Sequence, residues 1–96
     1  MRPMGKRFSL GRVVWTRGVN DLMAVDASFA KFVLKSIRRH ANCDWGELSD
    51  EDKRENDFSQ DKNLRLFSGY SQNEYKIWVI TEADRSSTCV LFPSEY

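Results

Sequence analysis

The apolar positions of this chain change period part-way along its length. Between Asp26 and His40 they recur at three and four residues: Phe29, Phe32, Val33 and Ile37, with Leu34 beside them. That spacing predicts one amphipathic helix, because residues three and four apart share a helix face. Asp26 is the candidate N-cap and Asn42 the candidate stop. Lys31, Lys35, Arg38 and Arg39 lie on the opposite face. From Leu64 the period becomes two. Leu64–Tyr70, Tyr75–Glu82 and Ser87–Phe92 read as strands, with turns at 71–73 and 83–86. A tight loop at Asp84-Arg85 sets Ile80 opposite Cys89 and Trp78 opposite Leu91. Ile77 and Val79 then share the other face with Val90 and Phe92. Both faces of this hairpin are apolar. One can pack under the 26–40 helix. The other needs a cover: Pro93 and the tail, a second helix, or a partner.

The remaining segments are shorter. Phe8–Thr16 is rich in β-branched and aromatic residues and reads as a strand, with Gly11 marking a bulge or a close backbone approach. Asn20 begins a short helical turn carrying Leu22 and Met23. Asp44–Leu48 is a loop whose Trp45 and Leu48 fold back onto the core. Ser49 opens a second helix that runs to about Gln60, in the manner of a capping box with Asp52 in place of Glu. Its one large apolar residue is Phe58, which places it at the edge of the fold. The expected architecture is α+β: a single domain over 8–96, ordered β-α-α-β-β-β. Its four-stranded, mainly antiparallel sheet is packed on one face by helices. Residues 1–7 read as a flexible basic arm.

Composition narrows the function classes. Ninety-six residues, 41% hydrophobic and 30% charged, suit one small core. No apolar run approaches the length of a membrane span, so the reading is a cytoplasmic protein without a membrane partner. The net charge of +1 excludes a uniformly acidic DNA mimic and a uniformly basic nucleic-acid coat. It also hides segregation. Residues 1–42 carry nine basic and two acidic side chains, 43–63 three and eight, and 64–96 three and four. The segment charges are therefore +7, −5 and −1. A basic first half can meet nucleic acid or an acidic protein, and it can equally be neutralised by the acidic middle of the same fold.

Candidate chemistry is sparse. Cys43 and Cys89 are expected as reduced thiols. His40-x-x-Cys43-Asp44 has a ligand-like spacing, but no second paired motif completes a metal set, so no metal and no cofactor are expected. No glycine-rich phosphate loop and no nucleophile elbow occur. The hairpin tip, Thr81-Glu82-Ala83-Asp84-Arg85-Ser86, could join His40 as an acid–base pair in a small nuclease, with His40 and Glu82 in those roles. The simpler reading makes Asp84 and Ser86 turn formers and pairs Arg85 with a carboxylate. No catalytic residue is assigned. Aromatic side chains make up 12% of the chain, and Trp, Tyr and Arg dominate interface hot spots. The candidate contact residues are Lys35, Arg38, Arg39 and Arg85 for charge, with Tyr75 and Tyr96 as aromatic anchors.

Four stretches carry a resemblance. They are Phe8-Ser-Leu-Gly-Arg12, Asp44-Trp-Gly-Glu-Leu48 followed by Asp52 and Asn56-Asp57, Ile80-Thr-Glu-Ala-Asp-Arg-Ser86, and Leu91-x-Pro93-x-Glu-Tyr96. Together they resemble a family of small bacterial proteins of plasmids and other mobile elements, known as plasmid-related proteins and sometimes given a type I restriction subunit name. That subunit name does not suit a chain with no glycine-rich cofactor loop. The resemblance implies a binding protein whose partner is a host or mobile-element complex, as in anti-CRISPR and anti-restriction inhibitors of host defence. A nucleic-acid-binding accessory protein is the alternative it implies. Homodimerisation stays open.

Overall fold

The structure, a computed structural model, describes residues 8–62 and 64–96. Its elements are β1 (Arg12–Trp15), α1 (Arg17–Val25), α2 (Ala27–Ala41), α3 (Asp50–Asp61), β2 (Leu66–Gln72), β3 (Tyr75–Thr81) and β4 (Ser87–Leu91), followed by a 3-10 turn at Pro93–Glu95. The four strands form one sheet in the order β1-β4-β3-β2. Both hairpin pairings are antiparallel, and β1 lies parallel to β4. The α+β class and the mainly antiparallel sheet match the periodicity. The basic arm expected at 1–7 lies outside the described residues.

The strong local signals hold. The Asp26 side chain accepts the Phe29 N–H at 3.0 Å and caps α2. Ser49 accepts the Asp52 N–H at 3.1 Å and caps α3. Ile80 pairs with Cys89 and Trp78 with Leu91, as the tight loop requires. The strand expected at Leu64–Tyr70 is shifted to Leu66–Gln72, which moves the turn to 73–74, and two further elements differ in extent. The strand expected at Phe8–Thr16 shortens to Arg12–Trp15. Gly11 stands at φ +64°, and a Cβ there would meet the Arg85 carbonyl oxygen at 2.4 Å, so the chain presses close to the hairpin instead of extending. The turn expected near Asn20 is a nine-residue helix. Its cap comes from the far end of the chain: the Glu95 carboxylate accepts the Gly18 N–H at 3.1 Å and the Thr16 hydroxyl.

Alternation divides the sheet into two faces. Leu66, Ser68 and Tyr70 of β2, Ile77, Val79 and Thr81 of β3, and Thr88 and Val90 of β4 share one face. There Tyr70, Ile77, Val79 and Val90 pack with Val19 of α1 and Phe29, Phe32 and Val33 of α2 to form the core. Phe29 is ringed by aromatic side chains, with centroids 5.2 Å from Tyr75, 5.7 Å from Phe92 and 6.0 Å from Phe32. The outer edge of β2 is closed by other means. Asn56 of α3 accepts the Phe67 N–H and donates to the Phe67 carbonyl, imitating a strand neighbour. Beside it, Gly46 at φ +75° allows a parallel bridge to Gly69. Both devices protect an edge that would otherwise offer unpaired backbone groups.

Candidate partner interface

The second face of the sheet carries no helix among the described residues. It holds Val14 of β1, Cys89 and Leu91 of β4, Trp78 and Ile80 of β3, and Phe67 of β2, in register across all four strands. The 3-10 turn brings Tyr96 over it. The Tyr96 ring meets Trp78 edge-on at 5.6 Å, and Trp78 meets Phe67 in the same way at 5.0 Å. Arg65 lies 5.8 Å from the Tyr96 centroid and donates from Nη1 to the Tyr96 hydroxyl at 3.2 Å. Ile80 and Leu91 are buried, while Val14 is 39% and Tyr96 71% exposed.

Arg65, Phe67, Trp78, Ile80 and Tyr96 line a cavity of about 250 Å³. Arg65 and Phe67 also border a wider groove of about 510 Å³, whose opposite wall is Glu51, Asp52 and Glu55 of α3. The ion partner of Arg65, Glu82, sits 3.6 Å away, beyond hydrogen-bond length. The half-exposed guanidinium therefore keeps most of its donors for another acceptor. Burial pushes the Cys89 thiol up from its ordinary value, which makes it apolar lining here and a poor nucleophile.

The expected contact residues do not converge. Tyr96 is on the open face. Lys35 and Arg38 are exposed on the outer side of α2, across the sheet from it, where Lys31 and the 51%-exposed Leu34 join them. Arg39 latches the loop after α2. Its Nε and Nη2 donate to Asp44 at 2.7 and 3.1 Å, and its guanidinium lies over the Tyr70 ring. The hydrogen bond from Arg39 lowers the Asp44 carboxyl from its ordinary value and raises Arg39. Tyr75 packs on Phe29 at the core.

Arg85 stands at φ +61° and turns inward. Its Nη1 donates to the carbonyls of Leu64, Glu82 and Ala83, and its Nη2 to those of Ser59 and Gln60. The carbonyls at the C-terminal end of α3 are where a cation is favoured. Arg85 thus joins the hairpin tip to the acidic helix.

His40 is fully buried, under the rings of Phe8 and Trp45. Ser68 lies 2.6 Å from its Nδ1 and Thr81 2.9 Å from its Nε2. The chain continues from Thr81 to Thr88 at 2.7 Å and from Thr88 to the Leu10 carbonyl at 2.7 Å. A carbonyl only accepts, so the Thr88 hydroxyl donates to Leu10 and must accept from Thr81. The Thr81 proton is then committed, so Nε2–H donates to Thr81, and Nδ1 accepts from Ser68. Burial, with a smaller repulsion from Arg85, lowers the His40 pKa to about 3. The ring is neutral and both nitrogens are engaged. Glu82 points instead to Arg65 at the surface. Among the described residues no three His, Cys, Asp or Glu side chains gather as a metal site, and no helix is long and apolar enough to cross a membrane.

Two residues of this site escape a sequence reading. Arg65 precedes a strand and looks like a solvated charge, and Asn56 sits in a polar helix with nothing to single it out. The apolar second face, by contrast, is visible in the alternation of β3 and β4. Comparison with protein-family models, curated proteins and solved structures finds no match to this chain.

Proposed function

We infer that this is a non-enzymatic interaction protein, and that the open sheet face around Trp78, Tyr96 and Arg65 receives a protein partner. One observation carries the reading: an aromatic and aliphatic band crosses all four strands and, among the described residues, no helix but the C-terminal 3-10 turn overlies it. Such a band next to an arginine with free donors has the composition of an interface hot spot. The resemblance to mobile-element proteins sets the partner class to test first, a host defence complex, which would make the chain an anti-CRISPR or anti-restriction inhibitor. The test places a photo-crosslinking residue at Tyr96 or at Lys35 in cells with active defence systems. A discrete adduct is expected from position 96 and lost on Trp78→Ser. Adducts of equal yield from both positions, or none from 96, would end this reading.

A second reading has its own observation. The α2 segment from Ala27 to Ala41 holds no acidic residue. The ion pairs among the described residues are Arg39–Asp44 and Arg65–Glu82, so Lys31, Lys35 and Arg38 form an unneutralised stripe. A nucleic-acid-binding accessory protein would use it, and its binding would weaken steeply with salt as counterions are released. No retention of DNA or RNA in a low-salt gel shift removes this reading.

A further inference from the structure

The open face lies between edges of opposite charge. On the β1 side stand Arg12 and, at the start of α1, Arg17, both exposed and in neither ion pair. On the β2 side stands α3, with Glu51, Asp52 and Glu55 walling the groove that borders Arg65 and Phe67. A basic edge, an apolar band and a net acidic edge, where three carboxylates outnumber Arg65, thus follow one another across one surface. Such a surface is complementary to itself when one copy is turned half a revolution about an axis parallel to the strands. That rotation sets β1 of each copy against the α3–β2 edge of the other. The other in-plane axis would set like charges together.

We propose that the partner seated on the open face is a second copy of this chain, in a twofold, face-to-face dimer. This rests on the reading of that face as a protein interface. Arg12 of each copy enters the groove lined by Glu51 and Glu55 of the other, and the Trp78–Tyr96 clusters meet near the axis. The contact is isologous, so each interaction occurs twice. It also regulates the site. A dimer covers the residues that would capture any other protein, so self-association and capture compete, and the free face is presented only as the dimer dissociates.

Charge reversal tests this without disturbing the core, since the residues concerned are exposed. Light scattering across a concentration series should show the 11.2 kDa chain approaching twice its mass. Arg12→Glu alone should weaken the dimer by about tenfold or more, as should Glu51→Arg/Glu55→Arg alone, because each places like charges opposite one another twice. Mixing the two variants should restore it. In the mixed pair one contact has both charges reversed and the other has neither, so both attract. Trp78→Ser should weaken the dimer and should not be rescued by mixing. Circular dichroism confirms that each variant is folded. A wild-type chain that stays monomeric overturns the inference. So does a dimer insensitive to both charge reversals, or a mixture that stays monomeric. If the chain is monomeric yet still loses a crosslinked protein on Trp78→Ser, the second copy falls and the reading of the face stands.

Discussion

The two faces of the sheet are built from similar residues and do different work. On the helix face, Tyr70, Ile77, Val79 and Val90 are wholly buried under α1 and α2. On the open face, Phe67, Trp78 and Cys89 are half-buried and Val14 is exposed. The strands alternate, so every residue that strengthens one face sits next to one that furnishes the other. Apolar surface removed from water on folding stabilises the domain. Apolar surface left in water can only be removed by association. Folding free energy should therefore reside on one side of the sheet and binding free energy on the other.

The sharpest way to break that division is to truncate one aromatic residue on each side. Phe29→Ala opens a cavity among Phe32, Tyr75 and Phe92 and is expected to cost about 3–5 kcal/mol, the range for buried aromatic truncations. Trp78→Ser, on a face already half in water, should cost clearly less while removing partner binding. Urea denaturation of both variants measures the difference. Equal losses would mean that the open face is part of the folding core.

The next effect is acid sensitivity, and it too belongs to the closed side. His40 titrates near its ordinary value when unfolded but near 3 when folded. The unfolded state therefore binds the proton first. The contribution of neutral His40 is complete above about pH 6.5 and is lost as pH falls towards 3, with a slope of at most about 1.4 kcal/mol per pH unit. His40→Leu should abolish this component and leave Ser68 and Thr81 without their partner. Stability curves from pH 7 to pH 4 that run parallel for wild type and variant would refute the assignment.

Much of this arrangement was legible in the sequence, for reasons that can be named. The α2 stripe and the β3–β4 register follow from local rules, since a cap, a period and a turn length fix them without reference to the rest of the fold. The uncovered face followed too, because alternation makes both sides of the hairpin apolar. What was not legible depends on distant atoms. The α1 helix looked like a turn because its cap is Glu95, at the other end of the chain. Asn56 looked like a helix surface residue because its role is to meet the backbone of Phe67. Arg85 looked available for a partner because the carbonyls it joins come from the end of α3, from Leu64 in the link to β2 and from its own turn.

Arg85 gives a smaller and more local effect. Arg85→Ala removes five donor contacts, two of them to carbonyls at the end of α3, while leaving both faces of the sheet intact. A loss of about 1.5–3 kcal/mol is expected, the range for hydrogen bonds to a charged group. Hydrogen exchange should rise in α3 more than in β3 or α2. A uniform rise would show that the acidic helix is part of the cooperative core and not an edge element held by a few side chains.

The smallest expected effect on stability falls on the outer side of α2, where the comparison can be inverted. Lys35 and Arg38 are exposed, and neither forms an ion pair among the described residues. Lys35→Gln/Arg38→Gln should change stability by no more than about 0.5 kcal/mol, as for surface substitutions in general. Arg38 is in the last turn of α2, so a slight loss is the expected sign. These substitutions should also leave association through the open face untouched, because the two surfaces lie on opposite sides of the sheet. If they abolish partner capture while Trp78→Ser does not, the working surface is the basic helix, and the aromatic face serves only to bury the C-terminal turn. One pair of variants thus decides which side of the sheet carries the function.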